Sequence, residues 1–192
     1  MSGSLKLRVD KLSALVKGIN ALTRKDVLVG VPEADATRSD DGSTEAMNNA
    51  TLAYIHDNGS PAANIPARPF MGPGIKAVQP KLEERLKAAT NAALDGQIQK
   101  IEPQLEAAGL IAQTSIKKTI NDGEFAPLAA STIANRFRSR QTKSQRKAEL
   151  EYLEMVANGV PEELAQNVAG IQPLVNTGQL RNSINYVVRG DK

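Results

Sequence analysis

Apolar residues recur near the start of the chain at alternating spacings of four and three: Leu5, Val9, Leu12, Val16 and Ile19. That period places them on one face of an amphipathic helix over residues 4–22. Residues 23–26 break it. The β-branched run Val27-Leu28-Val29-Gly30-Val31, stopped by Pro32, reads as a strand. Residues 34–43 include Asp35, Asp40, Asp41 and Gly42 without an apolar period, and read as a solvated loop. A helical pattern returns over 45–57, with Met47, Ala50 and Tyr54 on related faces, and Gly59 suits its left-handed end.

The four prolines between 61 and 73 predict an extended, stiff segment, because each proline fixes its own φ and restricts its predecessor. Beyond it, Ile75, Val78, Leu82, Leu86 and Ala89 form one helical stripe; Ile98, Ile101, Leu105, Ala108 and Ala112 form a second. Gly96 and Pro103 predict a break or kink between or near them. Short helices follow over 131–138 and 143–157, and residues 158–161 make a turn. Asn176 or Thr177 is placed to cap one brief helical turn, and Ile184, Tyr186 and Val188 alternate as a half-buried strand over 184–188. Two strands alone are marginal in water, so they are expected to pair with each other or with further strands. The expected fold class is α+β. It is a helix-dominated single domain over 1–192, with a small antiparallel sheet formed by strands near both termini and packed under long helices.

Composition narrows the chemistry. The 192 residues contain no Cys and one His, which excludes disulfides, thiolate metal sites, a cysteine nucleophile and any mechanism needing two imidazoles. No apolar run approaches the length of a membrane span. Gly72-Pro73-Gly74, with Ala at position 77, fails the dinucleotide fingerprint, and nothing matches a P-loop. Ser115 to Lys118 fits Ser-x-x-Lys only formally and reads as an exposed stretch of helix. His56 and Asp57 are adjacent on a helix and so point in different directions. The expectation is that the chain is not an enzyme and holds neither metal nor cofactor.

The net charge of +3 is mild, but its distribution is not. Residues 125–148 contain no acid, while Arg136, Arg138, Arg140, Lys143, Arg146 and Lys147 crowd together; residues 149–172 contain Glu149, Glu151, Glu154, Glu162 and Glu163 without one Lys or Arg. Such polarisation suits assembly as much as nucleic acid. Phe137 is the single aromatic in the basic run, so the interleaved stacking residues of a single-strand binder are missing.

Four segments together resemble a known family. They are Ala53-Tyr54-Ile55-His56-Asp57-Asn58-Gly59; Ile65-Pro66-Ala67-Arg68-Pro69-Phe70; Pro127-Leu128 with Thr132 and Arg136; and the run from Pro173 to Ile184 containing Thr177, Gly178, Leu180 and Ser183. In these motifs and their order the chain resembles the neck and tail-completion proteins of tailed bacteriophages, which include tail terminators, head–tail joining proteins and the virion-morphogenesis proteins of Mu-like phages. The resemblance implies a structural virion protein that assembles with itself into a ring, commonly a hexamer, with a dodecamer as the other copy number. Such a ring meets the phage connector or adaptor and the tail tube or sheath, and genomic DNA passes through its lumen. It also implies a place at the head–tail junction of the virion, after assembly in the host cytoplasm, with no membrane involved. The chain departs from compact relatives in a charge-polarised helical insertion at about 141–172.

On this reading the subunit-interface or DNA-channel candidates are Arg136, Arg138, Arg140, Lys143, Arg146, Lys147, Glu149, Glu151 and Glu154, with the basic helix docking on the acidic helix of a neighbour or both packing within one chain. The loop residues Asp35, Arg38, Asp40 and Asp41 are candidates for partner docking, since a polar loop orders on contact. The motif positions Tyr54, Gly59, Pro66, Arg68, Pro69, Phe70, Thr177, Gly178, Leu180 and Ser183 also have a fold-only explanation in caps, turns and a buried aromatic. The alternative function is a DNA-binding accessory protein using the basic run 136–147.

Overall fold

The computed structural model of the chain describes residues 3–37, 47–139 and 143–190, and the side chains within these except those of 3–11 and 143–145. Helix α1 (Gly3–Thr23) leads into strand β1 (Lys25–Gly30) and a single 3-10 turn over Glu33–Asp35. Helix α2 (Asn49–Asn58) follows, then α3 (Met71–Lys76), α4 (Gln79–Leu94) and the long α5 (Ile101–Asp122). Helices α6 (Ala130–Ser139), α7 (Lys143–Ala157) and α8 (Glu162–Val168) precede the short α9 (Gln179–Ser183) and strand β2 (Asn185–Gly190). The fold is α+β: helix-dominated, with β1 and β2 forming a two-stranded antiparallel sheet in which Val27 faces Val188 and Val29 faces Tyr186.

Helix α5 is the axis of the main body. Its Ile116 and Ile120 join Phe70, Leu174 and Ile184 in one core cluster; Ile101 and Leu105 join Ala89, Ala92 and Ala93 in a second. The sheet lies across α5, and a methyl at Gly109 would come within 2.4 Å of the Tyr186 ring, so glycine lets the ring lie on the helix backbone. Fully burying an Ile or Phe contributes about 1.5–3 kcal/mol, so these two clusters hold the sheet that two strands cannot hold alone.

A third cluster stands apart. Leu128, Ile133, Tyr152, Ala165 and Ile171 pack α6, α7 and α8 into a three-helix unit. The charge-polarised segment therefore shares its core with α6 and with Leu128. Helix α8 fell in the predicted insertion but was not separately expected: at seven residues it is too short to show a period.

Three expectations are corrected. The proline-rich segment is not extended throughout. Pro61–Ala63 forms a 3-10 turn closed by Asn64 at φ 53°, and Pro73 lies in the first turn of α3, where its missing N–H is not needed. The helical region after it breaks at Ala77 and Val78, with Pro80 opening α4, as well as at the predicted Gly96. In the 45–57 pattern, Met47 precedes the helix and Tyr54 is 70% exposed, so neither forms an inward stripe.

The described part of the apolar stripe of α1 points outward, and the side chains of Leu5 and Val9 lie outside the described residues. Leu12, Val16 and Ile19 are 61%, 48% and 40% exposed. The face that meets α4 is built around Gly18 and Ala21, with Leu22 at its end: a methyl at Gly18 would lie 2.0 Å from the Ala93 carbonyl oxygen, and Gly96 sits against Ala14. Small side chains let the two backbones approach closely, and that contact wins over the larger stripe for the inner side.

Candidate functional site

The four motif segments, distant in sequence, are tied together. The Asp57 carboxylate in α2 accepts hydrogen bonds from the backbone N–H of Phe70 (2.7 Å) and Met71 (2.9 Å), so it caps the start of α3 from another helix. The His56 carbonyl accepts from the Arg68 N–H at 2.7 Å. Gly59 ends α2 at φ 77°, and a methyl there would meet the Ala67 nitrogen at 2.8 Å, so only glycine lets the chain turn back on itself at this point. Pro66 and Pro69, both exposed, hold the strand-like lead into α3.

Arg68 is buried. Its Nε donates to the Ala126 carbonyl (2.7 Å) and a terminal nitrogen to that of Pro127 (2.8 Å), and burial pulls its pKa below the usual arginine value. This fork anchors the segment that leads into the three-helix unit. Arg136 makes a second clamp, donating to the carbonyls of Pro173 (2.7 Å), Gln172 (3.0 Å) and Val175 (3.4 Å). Phe70, fully buried, belongs to the same core cluster as Leu174 and Ile184. Leu180 and Ser183 are both buried within α9, where the Ser183 hydroxyl donates to the Leu180 carbonyl at 2.8 Å. Gly178 at φ 81° precedes α9, and the exposed Thr177 hydroxyl accepts from the Gln179 N–H at 3.4 Å.

The charge candidates divide. Arg136 is committed to carbonyls, Arg146 lies 5.5 Å from the Phe137 ring centroid, and Glu149 is buried. Arg136 and Glu149 line the same small recess of about 160 Å³ beside Gln172 and Asn176. Arg138 donates to Asn135 and is exposed, as are Lys147, Glu151 and Glu154. Arg140, and the side chain of Lys143, lie outside the described residues. Within α7 the charges oppose the helix dipole: Lys143, Arg146 and Lys147 occupy its N-terminal end and Glu154 its last turn. Each such placement costs about 0.3–1 kcal/mol, so helix stability does not explain it.

Asp35 is half-buried, and its carboxylate accepts from the Asn185 amide at 3.2 Å, tying the turn after β1 to the start of β2. Arg38, Asp40 and Asp41 lie outside the described residues. Tyr54 is exposed over a recess of about 210 Å³ lined by Val31, Ala53, Met71 and Ile184. Ser115, expected on an exposed stretch, is partly buried and donates to the Gly74 carbonyl at 2.6 Å, joining α5 to α3. Among the described residues no three His, Asp or Glu side chains group closely enough to hold a metal ion, and no helix is long and apolar enough to cross a membrane.

Sequence reasoning missed Asp57 as a cap and Gln166 as a bridge. Gln166, buried in α8, accepts from the Leu128 N–H and donates to its carbonyl, both at 2.8 Å. Neither carries a local signal, since each acts across a long loop.

No protein-family model matches the chain, and no solved structure matches it. Over 45 residues it is 44% identical to an uncharacterized protein of Methanocaldococcus jannaschii, a stretch covering 22% of this chain and 33% of that protein. The chain thus spans about a third of the length of this relative.

Proposed function

We propose that this chain is a structural subunit of the neck or tail end of a tailed phage, assembling as a ring that completes the tail and joins it to the head connector around the DNA path. Its work is assembly and makes no bonds. The observation that carries this reading is the knot just described. The four segments resembling neck and tail-completion proteins are joined through Asp57, Arg68, Arg136 and Phe70. Such convergence is what a fold shared with that family requires of these segments. The dipole-opposed charges of α7 add a second support, since they are placed as an interaction surface needs.

The DNA-binding alternative draws less support. Two of its cations, Arg136 and Arg146, are engaged within the chain, which leaves fewer for phosphates. The test is electron microscopy of particles assembled without the gene product. Filled heads separate from tails, or tails without a proper end, are the expected result; normally joined virions overturn the reading.

A further inference from the structure

Among the exposed large apolar side chains of the described residues, two groups on unlike helices differ in the charge of the sequence around them. One is Leu12, Val16 and Ile19 on α1; the other is Leu164 and Val168 on α8, 54% and 60% exposed. The sequence around them is opposite in charge. Helix α1 carries Lys6, Arg8, Lys11 and Lys17 against the single acid Asp10, while residues 149–172 carry five Glu and no cation. Glu151, Glu154, Glu162 and Glu163 are exposed, as is Lys17.

From this complementarity we infer that the apolar stripe of α1 on one protomer docks on the acidic, apolar-edged α7–α8 face of a second copy, head to tail. The inference rests on the ring reading above and names the surfaces that would close the ring. Because the two patches differ and lie on one chain, each copy offers one of each, and such a contact propagates until rotation closes it. The partner for the acidic helices is then α1 rather than the basic run 136–147, whose Arg136 and Arg146 are engaged at home. A third observation agrees. The inner side of α1 is already occupied by the close Gly18–Ala93 approach, which keeps Leu12, Val16 and Ile19 outside.

Size sets the behaviour. Seven residues of α8 span about 10 Å, and a helix stripe is about 10 Å wide, so even with α7 each contact covers a few hundred Å². That is well below the roughly 800 Å² per partner of a stable pair. Isolated dimers are therefore scarce, and closed rings appear steeply with concentration because the last contact is intramolecular. Salt at about 0.5 M shifts the assembly midpoint to higher concentration by screening the charged rims.

The cysteine-free chain makes this directly testable. Val16→Cys and Val168→Cys alter exposed positions, and circular dichroism of each variant establishes that it folds. Sedimentation of the wild-type chain over a concentration series reports assembly, and a short bismaleimide reports proximity. The expected result is a ladder from the double variant, no linking from either single variant, and dimers when the two singles are mixed. Dimers from Val16→Cys alone would mean that α1 pairs with α1, as its four-three spacing also permits, and would overturn the inference. A chain that assembles without a ladder also overturns it while leaving the ring reading standing. A wild-type chain that stays monomeric throughout overturns both.

Discussion

Gly18 lies so close to Ala93 that the α1 and α4 backbones touch: a methyl added at Gly18 would sit 2.0 Å from the Ala93 carbonyl oxygen. This contact decides which way α1 faces. It turns Gly18 and Ala21 inward, with Leu22 beside them, and leaves Leu12, Val16 and Ile19 outside. Orientation here follows from how near two backbones can come, and not from the sum of side-chain hydrophobicity.

Gly18→Ala is expected to destabilise the fold by about 1–3 kcal/mol through overpacking, more than the roughly 1 kcal/mol gained in helix propensity. Gly72→Ala, inside α3 with open space around it, is the matched control and is expected to be neutral or stabilising by up to about 1 kcal/mol. Urea unfolding of the two variants measures the difference. Equal stabilities would mean that α1 does not press on Ala93.

Arg68→Lys is expected to lower stability by about 2 kcal/mol. The lysine keeps the charge but cannot reproduce the fork to Ala126 and Pro127, and each bond from a charged group contributes about 1.5–3 kcal/mol. Hydrogen exchange locates the effect: protection should fall first in α6, downstream of the anchored segment. A uniform loss across α1 and α4 would argue against the clamp.

Much of the architecture was legible from local pattern, and the exceptions share a cause. The α5 stripe of Ile101, Leu105, Ala108 and Ala112, the alternation around Tyr186 and the break at Gly96 are set by neighbours in sequence, so periodicity finds them. The facing of α1 was not legible, because two of its faces were packable and only α4 chose between them. The cap from Asp57 to Phe70 and the clamp from Arg136 to Pro173 span loops, and nothing near either residue announces its partner. The motif positions resemble a family pattern, while their structural roles are contacts across loops that no local period encodes.

Gln166→Glu tests the bridge between α8 and Leu128. The new carboxylate still accepts from the Leu128 N–H but cannot donate to its carbonyl, and it is buried. The expected cost is about 2–3 kcal/mol at neutral pH. It should shrink in acid, where the protonated carboxyl donates again. Thermal melts at pH 4 and pH 7 measure the gap between variant and wild type, and a gap independent of pH would rule out the donor role.

Tyr152 supplies the most discriminating pH experiment. Its side chain is 1% exposed in the three-helix core, and its hydroxyl has no hydrogen-bond partner among the described residues. Burial raises its pKa above the usual tyrosine value, and the nearby Glu162 charge raises it further. An acid whose pKa is higher in the folded state holds its proton more tightly there. Its contribution to stability is therefore complete below about pH 10, where the unfolded tyrosine is also neutral, and is lost as pH rises through the raised folded value. Tyr152→Phe removes both effects. At pH 7 it should leave stability unchanged or raise it by about 1 kcal/mol, because a buried hydroxyl without a partner is deleted. Above pH 10 the wild type should lose stability relative to Tyr152→Phe, and subtracting the two melting curves cancels the other tyrosines and the lysines. A difference that stays constant from pH 7 to pH 11 would mean that Tyr152 reaches solvent, and that the core joining α6, α7 and α8 is looser than its contacts indicate.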